Sequence, residues 1–219
     1  MSSSASNDSP DTSRREFLRR FAGTATVAAA APLPAAAVSG DLYVNHRIGL
    51  AFRKPPTWRY EHLRTFADIR NEYEYATPDP ALAAELKQGQ LPVVVVSQAA
   101  ILRNLASSAT VYVEENPLEP GETPAAAAAD IIRGISTFVK DFCLLGDPVA
   151  NRVADRDALE FRFTFYYEDR LGNKGRVRHR TLAILNAPLL FTFNMLDMPA
   201  DNKDAQSEFD ALRDSIVLA

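Results

Sequence analysis

The 219-residue sequence predicts an α+β fold in which helices pack against a central antiparallel β-sheet. Three observations carry this prediction. Apolar residues occupy every odd position over residues 159–167, which is the period of a half-buried strand. A Gly-Asn-Lys-Gly turn at 172–175 then returns the chain as a partner strand over residues 176–185. Apolar stripes at helical spacing lie before this hairpin and at the end of the chain.

The chain before the hairpin begins with two short predicted strands. The first starts at Leu42, the second covers residues 48–52, and a turn at Asn45 separates them. Consecutive prolines end the second strand, and the only tryptophan, Trp58, follows them. We expect Trp58 to anchor this loop in the core.

Two helices and two strands are predicted next. Helical spacing of apolar residues predicts the first helix over residues 66–73. The second begins with Thr77 as its N-cap and Pro78 in its first turn, and it ends at Gly89. The strand at 91–97 contains four consecutive valines, which favours burial on both faces, and a further strand follows at 110–114.

A third helix is predicted from Thr123 and Pro124, and a fourth closes the chain after a last strand over residues 189–195. The apolar stripe of the third helix consists of Ile131, Ile132, Ile135, Phe138 and Val139. The buried side of the fourth is expected to consist of Ala205, Phe209, Leu212 and Ile216.

The amino-terminal segment has the order of parts of a twin-arginine export signal. Its sequence from Ser13 reads Ser-Arg-Arg-Glu-Phe-Leu, and a short alanine-rich apolar run covers residues 21–31. That run is too short to span a bilayer, which takes roughly 20 apolar residues. The small residues at 35–37 predict cleavage between Ala37 and Val38. The residues of the predicted signal are Ser13, Arg14, Arg15, Phe17 and Leu18, and those of the cleavage site are Ala35, Ala37 and Val38.

This interpretation divides the chain into a leader, residues 1–37, and one globular domain, residues 38–219. It predicts a periplasmic protein that meets the twin-arginine translocase during export and touches the membrane only transiently through its leader. No cysteine follows the apolar run, so a lipid anchor is not expected. The alternatives are a disordered tail with a chance arginine pair and an organelle-targeting peptide.

Composition excludes several classes of function. The net charge of −4 provides no general attraction to nucleic acid or to anionic lipid. The single cysteine, Cys143, cannot form a disulfide within the chain, and its apolar neighbours predict a buried, inert thiol. The three histidines, His46, His62 and His179, lack the spacing of a metal site, so no metal is predicted. No motif for another cofactor is present, so none is predicted. His62 is expected to be exposed, and His179 to be a satisfied histidine within the sheet.

No catalytic motif is present in the sequence. A Gly-x-Ser-x-Gly nucleophile turn, a phosphate-binding loop and a dinucleotide fingerprint are all missing. We therefore expect a protein that is not an enzyme. The enzymatic alternative uses isolated acid and base groups, namely Asp157, Glu160 and His179, and a deep pocket lined by two of them would favour it.

Three alternating arginines, Arg176, Arg178 and Arg180, are expected to project from one face of their strand. If the turn centres near Gly172, Arg176 lies opposite Glu168, Arg178 opposite Tyr166 and Arg180 opposite Thr164. Cross-strand pairing on a solvated face explains Arg176. It leaves Arg178 and Arg180 without an acid directly opposite, although a helix could cover them. The functional alternative is a basic patch of the three arginines with Tyr166 that binds an acidic partner or an anionic ligand.

Several loose signatures accompany this order of elements over residues 42–219. They are the opening Tyr43-Val44-Asn45-His46-Arg47-Ile48-Gly49-Leu50-Ala51-Phe52, then Pro56 and Trp58, the helix before Asp141-Phe142, the Leu145-Gly146 step, the long hairpin, and the closing helix near Asp214-Ser215-Ile216. With these features the chain resembles the PsbP-like family. The family includes the extrinsic lumenal protein of photosystem II, DcrB-type bacterial envelope proteins and a nuclear factor that binds the GTPase Ran.

The resemblance implies an α/β/α sandwich and a role in binding or stabilising other macromolecules, with no catalytic residue set to carry over. The first hypothesis is therefore a non-enzymatic auxiliary or assembly protein of the bacterial envelope with an envelope protein as its partner. The alternatives are a carrier of a small anionic or lipid ligand and a small periplasmic enzyme.

Overall fold

A long antiparallel β-hairpin, residues 156–186, lies at the centre of the fold. The computed structural model describes residues 36–77, 79–99, 101, 105–198 and 205–219. The helices in these ranges are α1 (Leu63–Glu72), α2 (Pro80–Gln88), α3 (Ala128–Ser136) and α4 (Ala205–Asp214). The strands are β1 (Ala37–Ser39), β2 (Leu42–Asn45), β3 (Leu50–Arg53), β4 (Arg59–Tyr60), β5 (Val94–Ser97), β6 (Ser108–Glu115), β7 (Lys140–Leu144), β8 (Val149–Val153), β9 (Arg156–Glu168), β10 (Lys174–Asn186), β11 (Leu189–Asp197) and β12 (Val217–Leu218).

Within the described residues these strands form two antiparallel sheets. The larger sheet has the order β4-β5-β6-β11-β10-β9-β7, and β8 also pairs with β9. The smaller sheet has the order β1-β2-β3-β12, so the last strand of the chain joins its first strands. The predicted α+β class with a central antiparallel sheet is confirmed.

One face of the larger sheet packs against the smaller sheet and α4. Phe193 of β11 is fully buried on this face, and its ring centroid lies 5.9 Å from that of Phe52 in β3. Trp58 meets Phe209 of α4 edge to face, with ring centroids 5.7 Å apart. Trp58 is 2% exposed, which confirms its predicted place in the core.

The opposite face of the larger sheet packs against α1, α2 and α3. Phe161, Phe163 and Phe165 of β9 form a buried cluster there with Ile131 and Ile135, the buried residues of α3. Because successive strand residues point to opposite faces, both faces of the larger sheet are apolar and covered. With α4 and the smaller sheet on one side and three helices on the other, the order of layers is that of an α/β/α sandwich. All four residues of β5 are buried, which confirms that this strand is covered on both faces. None of the helices in the described ranges is both long and apolar enough to cross a membrane.

The two helices predicted to begin at Thr-Pro pairs begin further along the chain. Asp79, not Thr77, caps α2: its Oδ1 accepts a hydrogen bond of 2.9 Å from a backbone N–H in the first turn, and Pro80 takes the first helical position. Thr123 accepts a similar bond of 3.3 Å, but this stabilises a turn, and α3 starts at Ala128. Phe138 and Val139 therefore lie beyond the end of α3, although both pack in the same core.

The register of the central hairpin differs by two residues from the prediction. Glu168 lies opposite Lys174, and Arg176 lies opposite Tyr166. The turn is shorter than expected because Asp169 Oδ1 accepts two backbone N–H groups within it, each at 3.0 Å. A shift of two residues preserves the face on which each side chain lies, so each residue of the hairpin lies on its predicted face. On the polar face, however, Glu160 and Arg180 are buried.

Candidate ligand-binding cavity

A cavity of about 330 Å³ lies between the larger sheet and the helices that cover its second face. α1 contributes Phe66 and Ile69, α2 contributes Leu86, and the segment after α3 contributes Phe138. The floor consists of residues of β6, β11, β10 and β9. A volume of this size lies in the range of sites for small molecules.

Much of the cavity wall is aromatic. The ring of Tyr73 lies 4.7 Å from that of Tyr75, edge to face, and 5.1 Å from that of Tyr167. The ring centroid of Tyr75 also lies 6.4 Å from that of Phe138. Burial raises the pKa of Tyr75 to about 12 and also raises that of Tyr73, so both phenols are neutral at neutral pH. We refer to Tyr73, Tyr75, Phe138 and Tyr167 as the aromatic wall.

The floor of the cavity carries a short polar network. Thr181 Oγ1 donates a hydrogen bond of 3.2 Å to Asn194 Oδ1 and lies 3.3 Å from His179 Nδ1. The ring of His179 also stacks on Phe163, with centroids 4.6 Å apart. Burial lowers the pKa of His179 to about 4, so the imidazole is neutral at neutral pH. The prediction of a satisfied histidine within the sheet is confirmed.

Three polar atoms of the lining are buried and have no hydrogen-bond partner among the described residues: Tyr73 Oη, Thr192 Oγ1 and Arg70 Nε. The Nη1 of Arg70, by contrast, donates to the carbonyl oxygens of Gly89 and Gln90, at 2.6 and 2.9 Å. An unsatisfied buried polar group costs roughly 1–3 kcal/mol. A bound molecule with matching polar atoms would remove that cost.

Glu114, near the end of β6, adds a carboxylate to the lining. Its side chain makes no hydrogen bond or ion pair within the part of the chain that the structure describes. Burial raises the pKa of Glu114 to about 7. The cavity thus combines an aromatic wall with one uncommitted carboxylate.

Glu114 and His179 lie too far apart to act as an acid–base pair. On β11, the residue opposite Glu114 is Leu190, and the residue opposite His179 is Leu196. Six residues along a strand span about 20 Å, and β6 and β10 are also separated by the width of β11. General acid–base catalysis by a pair requires both groups within hydrogen-bond reach of one substrate. This cavity therefore does not bring Glu114 and His179 to one substrate atom.

No protein-family profile and no curated protein matches the sequence. Solved structures do match it. The solution structure of cyanobacterial PsbP (CyanoP) from Synechocystis sp. PCC 6803 aligns with a TM-score of 0.50 and 14% sequence identity, over 90% of this chain and 100% of that chain. The chain has a PsbP-like fold. The fold implied by the sequence resemblance is thereby confirmed.

Two further solved structures are less similar to this PsbP-like fold. LpqN from Mycobacterium tuberculosis, described as involved in cell envelope biogenesis, aligns with a TM-score of 0.47 and 11% identity, over 78% of this chain and 83% of that chain. PA94 from Pseudomonas aeruginosa, a protein of unknown function, aligns with a TM-score of 0.42 and 15% identity, over 52% of this chain and 74% of that chain.

Two arginines of the predicted patch, Arg178 and Arg180, form ion pairs with buried or partly buried acids of the PsbP-like fold. Arg180 is fully buried, and its Nη2 lies 2.9 Å from Glu160 Oε2 and 2.8 Å from Asp210 Oδ1. Arg178 binds both carboxylate oxygens of the buried Asp197, at 3.0 and 2.6 Å. The inclusion of Arg178 and Arg180 in an exposed patch is thus wrong, because α4 and β11 supply acids that the hairpin alignment left out.

The other two members of the predicted patch lie nearer the surface. Arg176 is exposed and donates to Thr164 Oγ1 at 3.2 Å. Lys140 Nζ lies over the ring of Tyr166, 4.9 Å from its centroid, in a cation–π contact. Glu168, expected opposite Arg176, instead lies 3.4 Å from Lys140 Nζ. A role of Tyr166 and Arg176 in binding an acidic partner or an anion stays a prediction.

The three isolated acid and base candidates do not share a site. Asp157 is exposed in a shallow polar depression, 3.5 Å from Arg152 Nη1. Glu160 and His179 lie on opposite faces of the larger sheet, as their cross-strand register requires. Burial acts to raise the pKa of Glu160, but its bonds to Arg180 and a neighbouring arginine outweigh this and lower it. Of the three, only His179 lines the cavity.

The described residues contain no cluster of three or more metal-ligating side chains. His46 and His62 are both exposed. The prediction that Cys143 is buried is wrong, because Cys143 is exposed on β7. Its neighbour Phe142 turns inward and contacts Phe163, with ring centroids 4.9 Å apart, which directs the thiol to the other side of the strand.

The predicted export signal, Ser13 to Leu18, and Ala35 lie outside the described residues. Ala37 and Val38, the predicted cleavage position, lie in β1 and are exposed. Ala37 pairs with Val44 of β2, so the predicted cut falls in a strand at the edge of the smaller sheet.

Sequence reasoning missed Glu114 and the aromatic wall as parts of a site. One local signal was available, because the residues at 108, 110, 112 and 114 are Ser, Thr, Tyr and Glu and alternate with Ala109, Val111 and Val113. Such alternation predicts a strand with one polar face. Nothing local shows that this polar face is covered by helices.

Proposed function

We propose that the protein is an exported, non-enzymatic binding protein of the bacterial envelope, and that its cavity holds a small, mostly apolar ligand. The observation that carries the proposal is the cavity itself, a space of about 330 Å³ between sheet and helices with a largely aromatic wall. Pockets that are mainly apolar and carry a few polar groups are the usual sites of small-molecule binding.

The buried polar atoms without partners support a ligand with polar atoms of its own. Tyr73 Oη, Thr192 Oγ1 and Arg70 Nε all belong to the lining. The aromatic wall offers dispersion contacts, and these three groups offer hydrogen bonds that would orient the bound molecule. The alternative of a small-ligand carrier is thereby favoured over that of an assembly protein without a ligand.

The arrangement of titratable groups supports a non-enzymatic role. His179 is neutral and stacked, Glu114 lies about 20 Å from it along the sheet, and Glu160 is held in ion pairs on the other face. No two of these groups lie within reach of one reacting atom, as a general acid and base must.

Titration of the purified protein with N-phenylnaphthylamine, an uncharged fluorescent probe of apolar sites, tests ligand binding. We expect saturable binding of one probe per chain. Ser108→Phe, which adds a ring to the floor of the cavity, should weaken it by about tenfold or more. Val149→Phe, at an exposed strand position, serves as the matched control and should bind as the original protein does. Equal binding by both variants, or no saturable binding, would overturn the proposal.

Export is tested with the arginine pair of the leader. Arg14→Lys combined with Arg15→Lys keeps the positive charge but removes the twin-arginine signature, so the precursor should accumulate in the cytoplasm. Arg19→Lys with Arg20→Lys is the matched control, which makes the same exchange outside the signature and should be exported normally. Cell fractionation and immunoblotting provide the measurement. Normal export of the first variant would refute the twin-arginine route.

A further inference from the structure

We infer that the ligand carries a protonated amine or another cationic group, and that Glu114 binds it at one end of the cavity. This inference rests on the proposed function, and it specifies the chemical class of the ligand. Glu114 lines the cavity and has no hydrogen bond or ion pair within the described ranges. Glu114 is half-buried, and a carboxylate partly withdrawn from water is stabilised most by an opposite charge that also donates a hydrogen bond.

Among the described residues Glu114 lacks a partner, whereas the other charged residue of the lining, Arg70, already has hydrogen bonds. Arg70 also lines the cavity, but its Nη1 is committed to the carbonyl oxygens of Gly89 and Gln90. Burial raises the pKa of Glu114, and within the described ranges no ion pair joins its carboxylate to Arg70. The carboxylate is therefore not neutralised by Arg70, and a cationic group of a ligand can supply the missing partner.

The aromatic wall favours the same class of ligand. Tyr73 and Tyr75 line the cavity as neutral phenols, and Tyr112 lies two positions before Glu114 on the same face of β6. Burial also raises the pKa of Tyr112. The faces of such rings attract cations. An acidic group at the end of an aromatic-lined space therefore selects an apolar molecule with a positive terminus.

A matched series of ligands tests this inference by displacement of N-phenylnaphthylamine. Decylamine, decanol and decanoate share one apolar chain and differ in the charge of the head group. At about pH 8 the amine is protonated and Glu114 is largely ionised. We expect decylamine to bind about tenfold or more tightly than decanol, and decanoate to bind more weakly than either.

Two variants identify the carboxylate responsible. Glu114→Gln keeps the size of the side chain and should abolish the preference for the amine while retaining binding of decanol. Glu115→Gln is the matched control, because Glu115 is exposed at the next position of β6 and does not line the cavity. Equal binding of amine and alcohol by the original protein, or a preference that survives in Glu114→Gln, would overturn the inference and leave the proposed function standing. Failure of the probe and of all three ligands to bind would overturn both.

Discussion

Arg180 of β10 and Asp210 of α4 form an ion pair, with Nη2 and Oδ1 2.8 Å apart, that joins the central sheet to the last helix. The arginine is fully buried, whereas the side chain of Asp210 is 46% exposed. Glu160 of β9 is the second acid on Arg180, at 2.9 Å. The contact of Phe209 with Trp58 and the ion pair of Arg180 with Asp210 hold α4 against the same face of the sheet.

Glu160→Gln should lower the free energy of unfolding by about 3 kcal/mol, because it removes the more enclosed of the two acids that compensate a buried guanidinium. Glu168→Gln is the matched control. Its partner, Lys140, lies 3.4 Å away at the surface, and loss of such a pair costs under about 1 kcal/mol. Urea unfolding followed by tryptophan fluorescence measures both. Equal losses in the two variants would show that Glu160 has no special role.

Thr192→Val should leave the free energy of unfolding unchanged or raise it by up to about 1 kcal/mol. The buried Oγ1 of Thr192 has no hydrogen-bond partner among the described residues. Replacing this hydroxyl with the methyl group of valine therefore removes an unsatisfied polar group. Thr181→Val is the comparison, since it breaks the 3.2 Å bond to Asn194 and should cost about 1 kcal/mol or more. The same denaturation experiment tests both, and a loss in Thr192→Val as large as that in Thr181→Val contradicts the prediction.

The pH dependence of stability should carry opposite contributions from Glu114 and His179. The folded-state pKa of Glu114 is raised from 4.5 to about 7, so its contribution is fully present below pH 4.5 and is lost as the pH rises through 7. That of His179 is lowered from 6.5 to about 4, so its contribution is present above pH 6.5 and is lost as the pH falls through 4. Each amounts to about 3 kcal/mol.

Unfolding free energies measured between pH 4 and pH 8 in single variants separate these contributions. Glu114→Gln should remove the decline toward high pH, and His179→Asn should remove the decline toward low pH. Arg70 is the other charged group on the same lining, and the raised pKa of Tyr75, about 12, keeps that phenol neutral. Parallel pH profiles of Glu114→Gln and the original protein would disprove the role assigned to this carboxylate.

Arg178→Ala and Arg176→Ala should separate structural from surface arginines. Arg178 neutralises Asp197, which is fully buried, so its removal should cost about 3 kcal/mol. Arg176 is exposed and lies 3.9 Å from Asp141, so its removal should cost under about 1 kcal/mol. Thermal unfolding provides the comparison.

If Arg176 binds an envelope partner, crosslinking in intact cells should capture that partner with the original protein, and the crosslink should be lost in Arg176→Ala.

The central hairpin shows which structural features the local sequence pattern can predict and which it cannot. Alternation over residues 159–167 predicts the strand and both of its faces, because each side chain's face depends only on its neighbours along the chain. The pairing was predicted two residues out of register, since the length of the turn depends on the hydrogen bonds of Asp169. The same limit explains Arg178 and Arg180, whose partners Asp197 and Asp210 are distant in the sequence.

The sequence by itself therefore determined the fold class, the order of most elements and the orientation of the strand residues, because periodicity is a local property. Only the tertiary structure decided that there is a cavity, and which polar groups in it lack partners. Tyr73, Glu114, His179 and Thr192 reach that cavity from four separate segments of the chain. Their shared site exists only because α1, α2 and α3 stand away from the sheet far enough to leave space between them.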